Sequence, residues 1–470
     1  MKDKLVRHSN LQKDQLAEKD KRYVWHPFTQ MMDWEGEEIV IIEEGDGFYL
    51  KDIKGNVYID GVSSLWTNVH GHRKQEIDVA LKDQIDKISH STFLGLSNVA
   101  AILLAEKLVH ITPRGLDKVF YSDSGSEAME VALKVAYQYW CQKDNPEPQR
   151  TKFVHLTHSY HGDTLGSVSV GGIDLFHKIY KPFLFETINV PAPYCYRCPL
   201  GLRKEQCAKE CFEELARVVR QQSKEIAAVV IEPLMQGAAG MINQPEGYIS
   251  AIRELTKDVG VLLIFDEVAT GFGRTGKMFA AEWENISPDV MALGKGITGG
   301  YLPLSATLFT TEIFNAFLGD YSEFKSFFHG HTYTGNQLAS RAALANIEIF
   351  EKEQVIENVS PKIQLLKQRL SSFYALEHVG DIRQVGFMVG IELVKDRNTK
   401  EAFAPEEKIG IKVIMEARKR GVIIRPLGNV IVLMPPLTIH EHQLHTLLDV
   451  VFDSIKRVTR KARALEKNIL

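Results

Sequence analysis

The sequence predicts an α/β protein with a mostly parallel central sheet, helices on both of its faces, and a smaller α+β domain. Several short apolar runs end in Gly, Ser, Asp or Pro, among them residues 118–121, 226–231 and 261–265. Continuous apolar runs of this kind are typical of strands that are covered on both faces, as in parallel sheets. Helical spacing of apolar residues follows residue 126, starting at Met129 and reaching Trp140. This alternation of strand and helix favours the parallel class.

The smaller domain is predicted from a change in the sequence near residue 340. Beyond that point the helices are longer and more charged, with one strand pair near 382–393 and another near 422–433. A chain of 470 residues is long enough for such an organisation. We predict an N-terminal segment, 1–65, that joins the small domain, a large domain at 66–338, and a C-terminal small domain at 339–470.

Composition and charge exclude several classes of protein. Hydrophobic residues at 44% and charged residues at 25% are ordinary for a soluble enzyme. A net charge of −4 gives no reason to expect a nucleic-acid partner. The absence of a run of about 18 apolar residues predicts no membrane span. The first 22 residues are charged and lack an apolar stretch, so we expect no signal peptide and a cytoplasmic location.

An acid and a lysine carry the strongest chemical signal. Asp266 closes the apolar run 261–265, and Lys295 follows 29 residues later between two glycines. Ligands of open α/β sheets bind at the carboxyl ends of the strands. A lysine amine can condense with an aldehyde, and a buried carboxylate can keep a pyridine nitrogen protonated. Taken alone, Asp266 is most simply a helix-capping acid and Lys295 a lysine in a surface turn. Together the two residues predict a pyridoxal phosphate site.

Two further segments fit such a site. Residues 122–126, Ser-Asp-Ser-Gly-Ser, lie between a predicted strand and helix, so Gly125 and Ser126 can approach a phosphate at a helix N-terminus. The same pattern is common in helix-capping turns. Tyr160 follows the strand 152–156 and can stack on a flat ring, while Val268 can close the other face. A tyrosine in the hydrophobic core is the alternative.

Two glycine patterns suggest a different cofactor. Residues 271–276 and 294–299 both satisfy G-x-G-x-x-G, which by itself is weak support for a dinucleotide site. The first begins several residues after its strand, and the second places a lysine where close backbone approach is needed. Neither lies in a clear strand–turn–helix unit, so a nicotinamide-binding fold is disfavoured.

Longer motifs resemble the class III aminotransferases of pyridoxal phosphate fold type I. The resemblance covers nearly the whole chain and is closest at residues 266–276 and 294–296. Within the class, residues 24–31, 60–66 and 329–336 are similar to the enzymes of biotin biosynthesis that aminate 8-amino-7-oxononanoate. These relatives usually take the amino group from S-adenosylmethionine, and some use lysine. The resemblance therefore implies a transferase with small-molecule substrates.

The resemblance also implies roles for individual residues. Lys295 binds the cofactor aldehyde and moves the proton, Asp266 pairs with the pyridine nitrogen, and Tyr160 stacks on the ring. A homodimer with shared active sites is implied, because His331 and Thr332 reach the phosphate site from a partner subunit. The carried-over residues are Gly125, Ser126, His331 and Thr332 for the phosphate, Trp66 and Gly330 for the oxononanoate channel, and Arg425 for the donor carboxylate.

Three positions depart from the pattern of relatives. Phe28 stands where S-adenosylmethionine users often have Tyr, and Leu65 precedes Trp66 where they often have a second Trp. Lysine users resemble this chain at both points, which keeps lysine open as donor. Ala238 stands where 2-oxoglutarate-linked members usually carry Glu, which disfavours another ω-aminotransferase. The intact Lys295 and Asp266 disfavour a non-catalytic relative.

Four of the five cysteines are clustered within 17 residues. Their C-x₂-C and C-x₃-C spacing is plausible for a structural zinc site, although the gap between the pairs is short. Free thiols in a reducing cytoplasm are the alternative. The candidate ligands are Cys195, Cys198, Cys207 and Cys211.

Overall fold

The computed structural model describes residues 10–203 and 207–467. The N-terminal part holds a three-stranded antiparallel unit, β1-β2-β3. Its last strand also pairs in parallel with Val422–Ile423 near the C-terminus. The elements are α1 (Asn10–Tyr23), α2 (Met31–Gly36), β1 (Ile42–Asp46), β2 (Tyr49–Asp52), β3 (Val57–Asp60), α3 (Ser63–Trp66), α4 (Gln75–Ile85) and α5 (Val99–Ile111).

The central sheet has seven strands in the order β4-β12-β11-β10-β7-β5-β6. Only β12 is antiparallel to its neighbours, and the other pairs are parallel. The predicted α/β class with a mostly parallel sheet is therefore confirmed. The strands of this region are β4 (Leu116–Ser122), β5 (Lys152–Leu156), β6 (Ile188–Val190), β7 (Ile226–Ile231), the separate hairpin β8 (Met235–Gln236) and β9 (Ile242–Asn243), β10 (Leu262–Asp266), β11 (Val290–Leu293) and β12 (Ser305–Thr310).

Helices flank this sheet. Every residue of β7 and β10 is buried, as expected for strands that are covered on both faces. The helix that was predicted after residue 126 begins at Gly125, directly after β4. The helices are α6 (Gly125–Gln142), α7 (Leu165–Ser169), α8 (Asp174–His177), α9 (Glu210–Gln222), α10 (Tyr248–Val259) and α11 (Thr311–Asn315).

The C-terminal part forms a second four-stranded sheet, in the order β13-β14-β17-β16. The predicted strand pairs near 382–393 and 422–433 are both confirmed. One hydrophobic cluster runs from Phe48 through the large domain to Ile455, so the parts share a core. The elements are α12 (Gln337–Lys352), α13 (Val355–Ser371), β13 (Val379–Val385), β14 (Met388–Leu393), α14 (Ile409–Arg418), β15 (Val422–Ile423), β16 (Arg425–Leu427), β17 (Val430–Leu433) and α15 (Glu441–Lys467).

Sheet register brings the two predicted catalytic residues to one edge. Asp266, the last residue of β10, is the register partner of Ala292 in β11. Since β11 ends at Leu293, Lys295 begins the next turn only a few residues away. Among the described residues, no helix combines the length and apolar character needed to cross a membrane.

Candidate active site

Lys295 starts a short 3₁₀ turn directly after β11, with its backbone in the left-handed region at φ 43°. Its Nζ lies 5.0 Å from the ring centroid of Trp66. Burial lowers the pKa of the Lys295 amine, and the carboxylates of Asp266 and Glu232 oppose that shift. Because a neutral amine is the form that attacks an aldehyde or accepts a proton, this environment suits Lys295 to both tasks.

The Asp266 carboxylate is buried and held at both oxygens. Its Oδ2 lies 2.7 Å from Nδ1 of His161, and its Oδ1 accepts the backbone N–H of Val268 at 3.0 Å. His161 is also buried, and its Nε2 has no partner among the described residues. Such an arrangement fixes the orientation of an acid that must present one oxygen to a ligand.

The backbone forms a tight cradle around Val268. A Cβ on Gly125 would lie 2.5 Å from Val268 Cγ1, and one on Gly294 would lie 3.2 Å from the same atom. A Cβ on Gly162 would meet Ser126 Oγ at 2.4 Å. A side chain at Gly125 or Gly162 would therefore force its neighbours to move, and one at Gly294 would be in tight contact. The cradle lies at the N-terminus of the 18-residue helix α6, which begins at Gly125 and favours anions there.

The loop that follows β5 carries Tyr160 and is hydrogen-bonded to Ser126 of α6. Ser126 Oγ accepts the backbone N–H groups of Asp163, at 3.0 Å, and Thr164, at 2.9 Å. The Tyr160 hydroxyl donates to Asp163 Oδ2 at 2.7 Å, and burial raises the pKa of Tyr160. The loop thereby brings a predicted phosphate residue and a predicted ring-stacking residue to one place.

Glu232 was not predicted, yet it lies in the centre of the site. This buried carboxyl follows β7 directly and accepts backbone N–H groups from Tyr160, at 3.0 Å, and Gly237, at 2.9 Å. Burial raises its pKa to about 7; His161 lowers the pKa, whereas Asp266 raises it. An acid at the end of an apolar run is the same sequence signal that identified Asp266, and it could have identified Glu232.

Trp66 and Leu65 lie on a strained turn. Residues 63–66 all have positive φ, between 47° and 72°, and none of them is glycine. Left-handed helical backbone costs about 1–2 kcal/mol for each L-residue. Trp66 is buried, its Nε1 has no partner among the described residues, and a Cβ on Gly237 would lie 3.3 Å from its ring. Leu65 is 47% exposed.

Arg425 and Phe28 line the more open side of the site. Arg425 is half-buried on β16; burial lowers its pKa, and nearby Tyr160 opposes the shift. The Phe28 ring lies 5.4 Å from that of Phe176, which in turn lies 6.3 Å from Tyr160. Phe176 was not predicted, because only the fold brings α8 next to Tyr160.

The segment that was predicted to reach a partner subunit lies on the surface of this chain. Gly330 and Thr332 are exposed, and a Cβ on Gly330 would meet nothing within 4 Å. A ligand atom of His331 lies within 4.8 Å of carboxylate oxygens of Asp123 and Glu127, which flank the Gly125–Ser126 turn. The contact with a partner stays a prediction.

None of the four clustered cysteines forms a disulfide bond with another described residue. Among the described residues, no three of their sulfur atoms lie within 4.8 Å of one another. Cys207 Sγ donates to Glu210 at 3.2 Å, and burial raises the pKa of Cys211 to about 11. A zinc ligand must be a thiolate, so metal binding would have to reverse this shift and bring the sulfurs together.

Comparison with known proteins places this geometry in context. The family model for class III aminotransferases matches residues 31–455. An adenosylmethionine-8-amino-7-oxononanoate aminotransferase of Geobacter sulfurreducens is 53% identical over 445 residues, which are 94% of this chain and 98% of that protein. The namesake of Methanocaldococcus jannaschii has a crystal structure that matches with a TM-score of 0.90 at 49% identity, covering 95% of this chain and 99% of that one.

A solved relative of a different type is also similar. An (S)-enantioselective omega-transaminase from Thermomicrobium roseum matches with a TM-score of 0.89 at 34% identity, covering 95% of this chain and 98% of that one. Proteins with different names therefore share this architecture. The identity of the substrate has to be argued from the substrate-facing residues.

Proposed function

We propose that this chain, which belongs to the class III aminotransferases, transfers an amino group from S-adenosylmethionine to the ketone of 8-amino-7-oxononanoate to form 7,8-diaminononanoate. The observation that carries the proposal is the placement of Lys295 and Asp266 at adjacent strand ends, beside Trp66. Relatives at 53% and 50% identity that bear this activity in their names support the substrate.

The residues present fit pyridoxal phosphate, the cofactor of this family. When bound, the cofactor supplies an aldehyde for amine exchange and a ring that withdraws electrons from the reacting carbon. The cradle of Gly125 and Ser126 at the start of α6 would hold its phosphate. Tyr160 and Val268 would cover the two faces of its ring.

Asp266 and Lys295 divide the proton chemistry between them. The Asp266 carboxylate, oriented by His161 and by the Val268 N–H group, would hold a proton on the pyridine nitrogen. Lys295 would be the base, because burial lowers the pKa of its amine and so favours the neutral form that accepts a proton. In each half-reaction Lys295 would move a proton between the reacting carbon of the substrate and the carbon of the cofactor aldehyde position.

Residues on the other side of the site would bind the substrates. Arg425 would bind the donor carboxylate, since its planar guanidinium suits bidentate pairing and its position near Tyr160 faces the site. Three residues would line the channel for the apolar chain of the acceptor: Leu65, Trp66 and Gly330.

Lysine is the second candidate donor. Phe28 has an aromatic face but no hydroxyl group to donate to an adenosyl group, and Leu65 removes a second indole. Both substitutions reduce the polar contacts that are open to S-adenosylmethionine, and neither affects a small amino acid. The acceptor and the chemistry are the same under either donor.

Adding each amine separately to the cofactor-loaded enzyme tests the proposal. The donor is the amine that bleaches the visible absorbance at low concentration, and addition of 8-amino-7-oxononanoate then restores the absorbance. Restoration by 2-oxoglutarate or pyruvate, but not by 8-amino-7-oxononanoate, would instead identify another ω-aminotransferase.

We also propose a homodimer in which His331 and Thr332 reach the phosphate site of the partner subunit. Exposed apolar side chains on the same segment support this surface as an interface, with Tyr321 93% and Phe328 75% exposed. Sedimentation at equilibrium tests the mass. A monomer that retains full activity would contradict the shared site.

We also propose a cytoplasmic location, which the composition supports.

We further propose a structural zinc site at the cysteine cluster, which the spacing of the four cysteines supports. Metal analysis of chelator-washed protein should return one zinc per chain, and a value near zero would refute the metal without affecting the aminotransferase chemistry.

A further inference from the structure

We propose that Asp60 is a positioning residue for the reaction: it holds residues 63–66 in a left-handed turn, and that turn places the Trp66 indole beside Lys295. This inference rests on the proposed function in one respect: 8-amino-7-oxononanoate is the acceptor whose KM measures the effect of substituting Asp60. Asp60 itself is fully buried at the end of β3 and is not assigned to the site.

The turn is a short left-handed helix formed by L-residues. The Trp66 N–H donates to Val62 O at 2.8 Å, and the Thr67 N–H donates to Ser63 O at 3.0 Å, so the backbone makes i to i−4 bonds with the opposite hand. Residues other than glycine keep such a conformation only where the surrounding structure over-determines it. The contacts that stabilise the turn should therefore be identifiable.

Asp60 supplies a dense set of those contacts. Its Oδ1 accepts the backbone N–H of Ser64 at 2.9 Å, and its Oδ2 accepts the Ser64 hydroxyl at 2.7 Å. Nε2 of His72 lies 3.0 Å from the same Oδ2. The two carboxylate oxygens thus bind one turn residue twice and connect the turn to the segment that follows it.

The ends of the turn are held separately. The Ser63 hydroxyl donates to Met434 O at 2.7 Å, which anchors the start of the turn to the C-terminal part. Arg274 donates to Asn68 O at 3.1 Å, just beyond the turn. Between these anchors, Ser64 has its side-chain and backbone contacts with Asp60. Loss of Asp60 should therefore free the middle of the turn while its ends stay attached.

The position of Trp66 makes the turn important for the reaction. Lys295 Nζ lies 5.0 Å from the centroid of the indole ring, and a Cβ on Gly237 would lie 3.3 Å from the same ring, so the indole occupies a narrow slot. A change of hand at residues 64 and 65 would rotate the Cα–Cβ bond of Trp66 away from this slot. Small displacements of a substrate-positioning group are costly because the reacting atoms must be held in a narrow range of geometry.

Asp52 offers a matched control. It is also a buried aspartate at a strand end, and it accepts backbone N–H groups from Lys54, at 2.9 Å, and Asn56, at 2.8 Å. It also accepts the Tyr58 hydroxyl at 2.9 Å. Its turn joins β2 to β3 and carries no residue of the candidate site. Substitution of Asp52 therefore reports the general cost of losing a buried aspartate that caps a turn.

The test compares Asp60→Asn and Asp60→Ala with Asp52→Asn and Asp52→Ala, each as the cofactor-loaded enzyme. We expect the melting temperature to fall in both pairs, and the visible absorbance of the loaded cofactor to stay unchanged. Only the Asp60 variants should raise KM for 8-amino-7-oxononanoate, roughly 10- to 100-fold, with a smaller loss in kcat. Equal KM values in the Asp60 and Asp52 variants would overturn the proposal.

A rescue variant tests the backbone route. Glycine adopts positive φ without the steric cost of a Cβ, so Ser64→Gly added to Asp60→Asn should lower the elevated KM by at least a few-fold. A double variant with a KM no better than that of Asp60→Asn would overturn the claim that Asp60 acts through the hand of the turn. Should the wild-type enzyme fail to use 8-amino-7-oxononanoate, the proposed acceptor is refuted, and KM for the amine donor becomes the readout for Asp60.

Discussion

The two sides of the candidate site are built in different ways. On the cofactor side, Asp266 and Lys295 lie at or just beyond the ends of adjacent parallel strands, where every neighbouring strand residue is buried. On the substrate side, Leu65 and Trp66 lie on a left-handed turn that depends on contacts with distant segments. The comparison indicates that strand register places Asp266, whereas Leu65 and Trp66 are placed by strained backbone that remote contacts stabilise.

The largest expected effect lies on the cofactor side. Lys295→Ala removes both the nucleophile and the base, so turnover should fall by about 10⁴-fold or more while the fold is retained. Steady-state assays with saturating cofactor measure the loss, and Lys257→Ala, at an exposed position of α10, is the control. If Lys295→Ala kept activity within tenfold of wild type, Lys295 would have no essential role, and the catalytic residues would not lie on the cofactor side as described.

Asp266→Asn should have the next largest effect. The amide preserves the shape of the side chain but lacks the charge that keeps a pyridine nitrogen protonated, so we expect kcat to fall by roughly 10³-fold. Asp258→Asn on the surface of α10 is the control. An analogue of the cofactor with a permanently charged ring nitrogen should restore much of the activity of Asp266→Asn but leave Lys295→Ala inactive.

The pH dependence of stability tests the environment of Glu232, the buried carboxyl on the cofactor side of the site. The folded-state pKa of Glu232, about 7, lies above its usual 4.5. The folded protein therefore binds the proton more tightly, and this contribution to stability is present below pH 4.5 and lost as the pH rises through 7. At 1.36 kcal/mol per pKa unit the full loss is about 3 kcal/mol.

Denaturant unfolding of cofactor-free protein at pH 5 and pH 8 measures this term. Between pH 5 and pH 8 the wild type should lose up to about 3 kcal/mol of unfolding free energy relative to Glu232→Gln, because a glutamine does not titrate. Glu254→Gln, at an exposed position of α10, should show no such change. A pH-independent difference for Glu232→Gln would mean that Glu232 is ionised throughout.

The smallest effect is expected on the open side, at Arg425. Loss of a charge-assisted hydrogen bond at this half-buried position should cost about 1.5–2 kcal/mol, or roughly 10- to 30-fold in KM for the carboxylate-bearing amine. Arg425→Lys should recover only part of this, because an ammonium cannot pair in the same bidentate way. Unchanged KM values in Arg425→Ala would assign the donor carboxylate to another group.

Several features of the site could be predicted because they follow from local patterns. An acid after an apolar run and a lysine between glycines indicate strand ends, and the register of β10 with β11 brings these two positions together. Glu232 has the same local signal as Asp266, an acid after an apolar run, and could have been predicted. His161 and Phe176 were missed because each acts through a partner in another segment of the chain, as with the 2.7 Å contact between His161 and Asp266.

The sequence by itself determined the class of the fold, the chemistry of the cofactor side and the family, because strand periodicity and short motifs are properties of neighbouring residues. Only the tertiary structure decided the hand of the turn at residues 63–66, the burial that raises the pKa of Glu232, and the approach of Trp66 to Lys295. Left-handed backbone and buried charge are unfavourable locally, so they exist only where contacts from remote parts of the chain stabilise them.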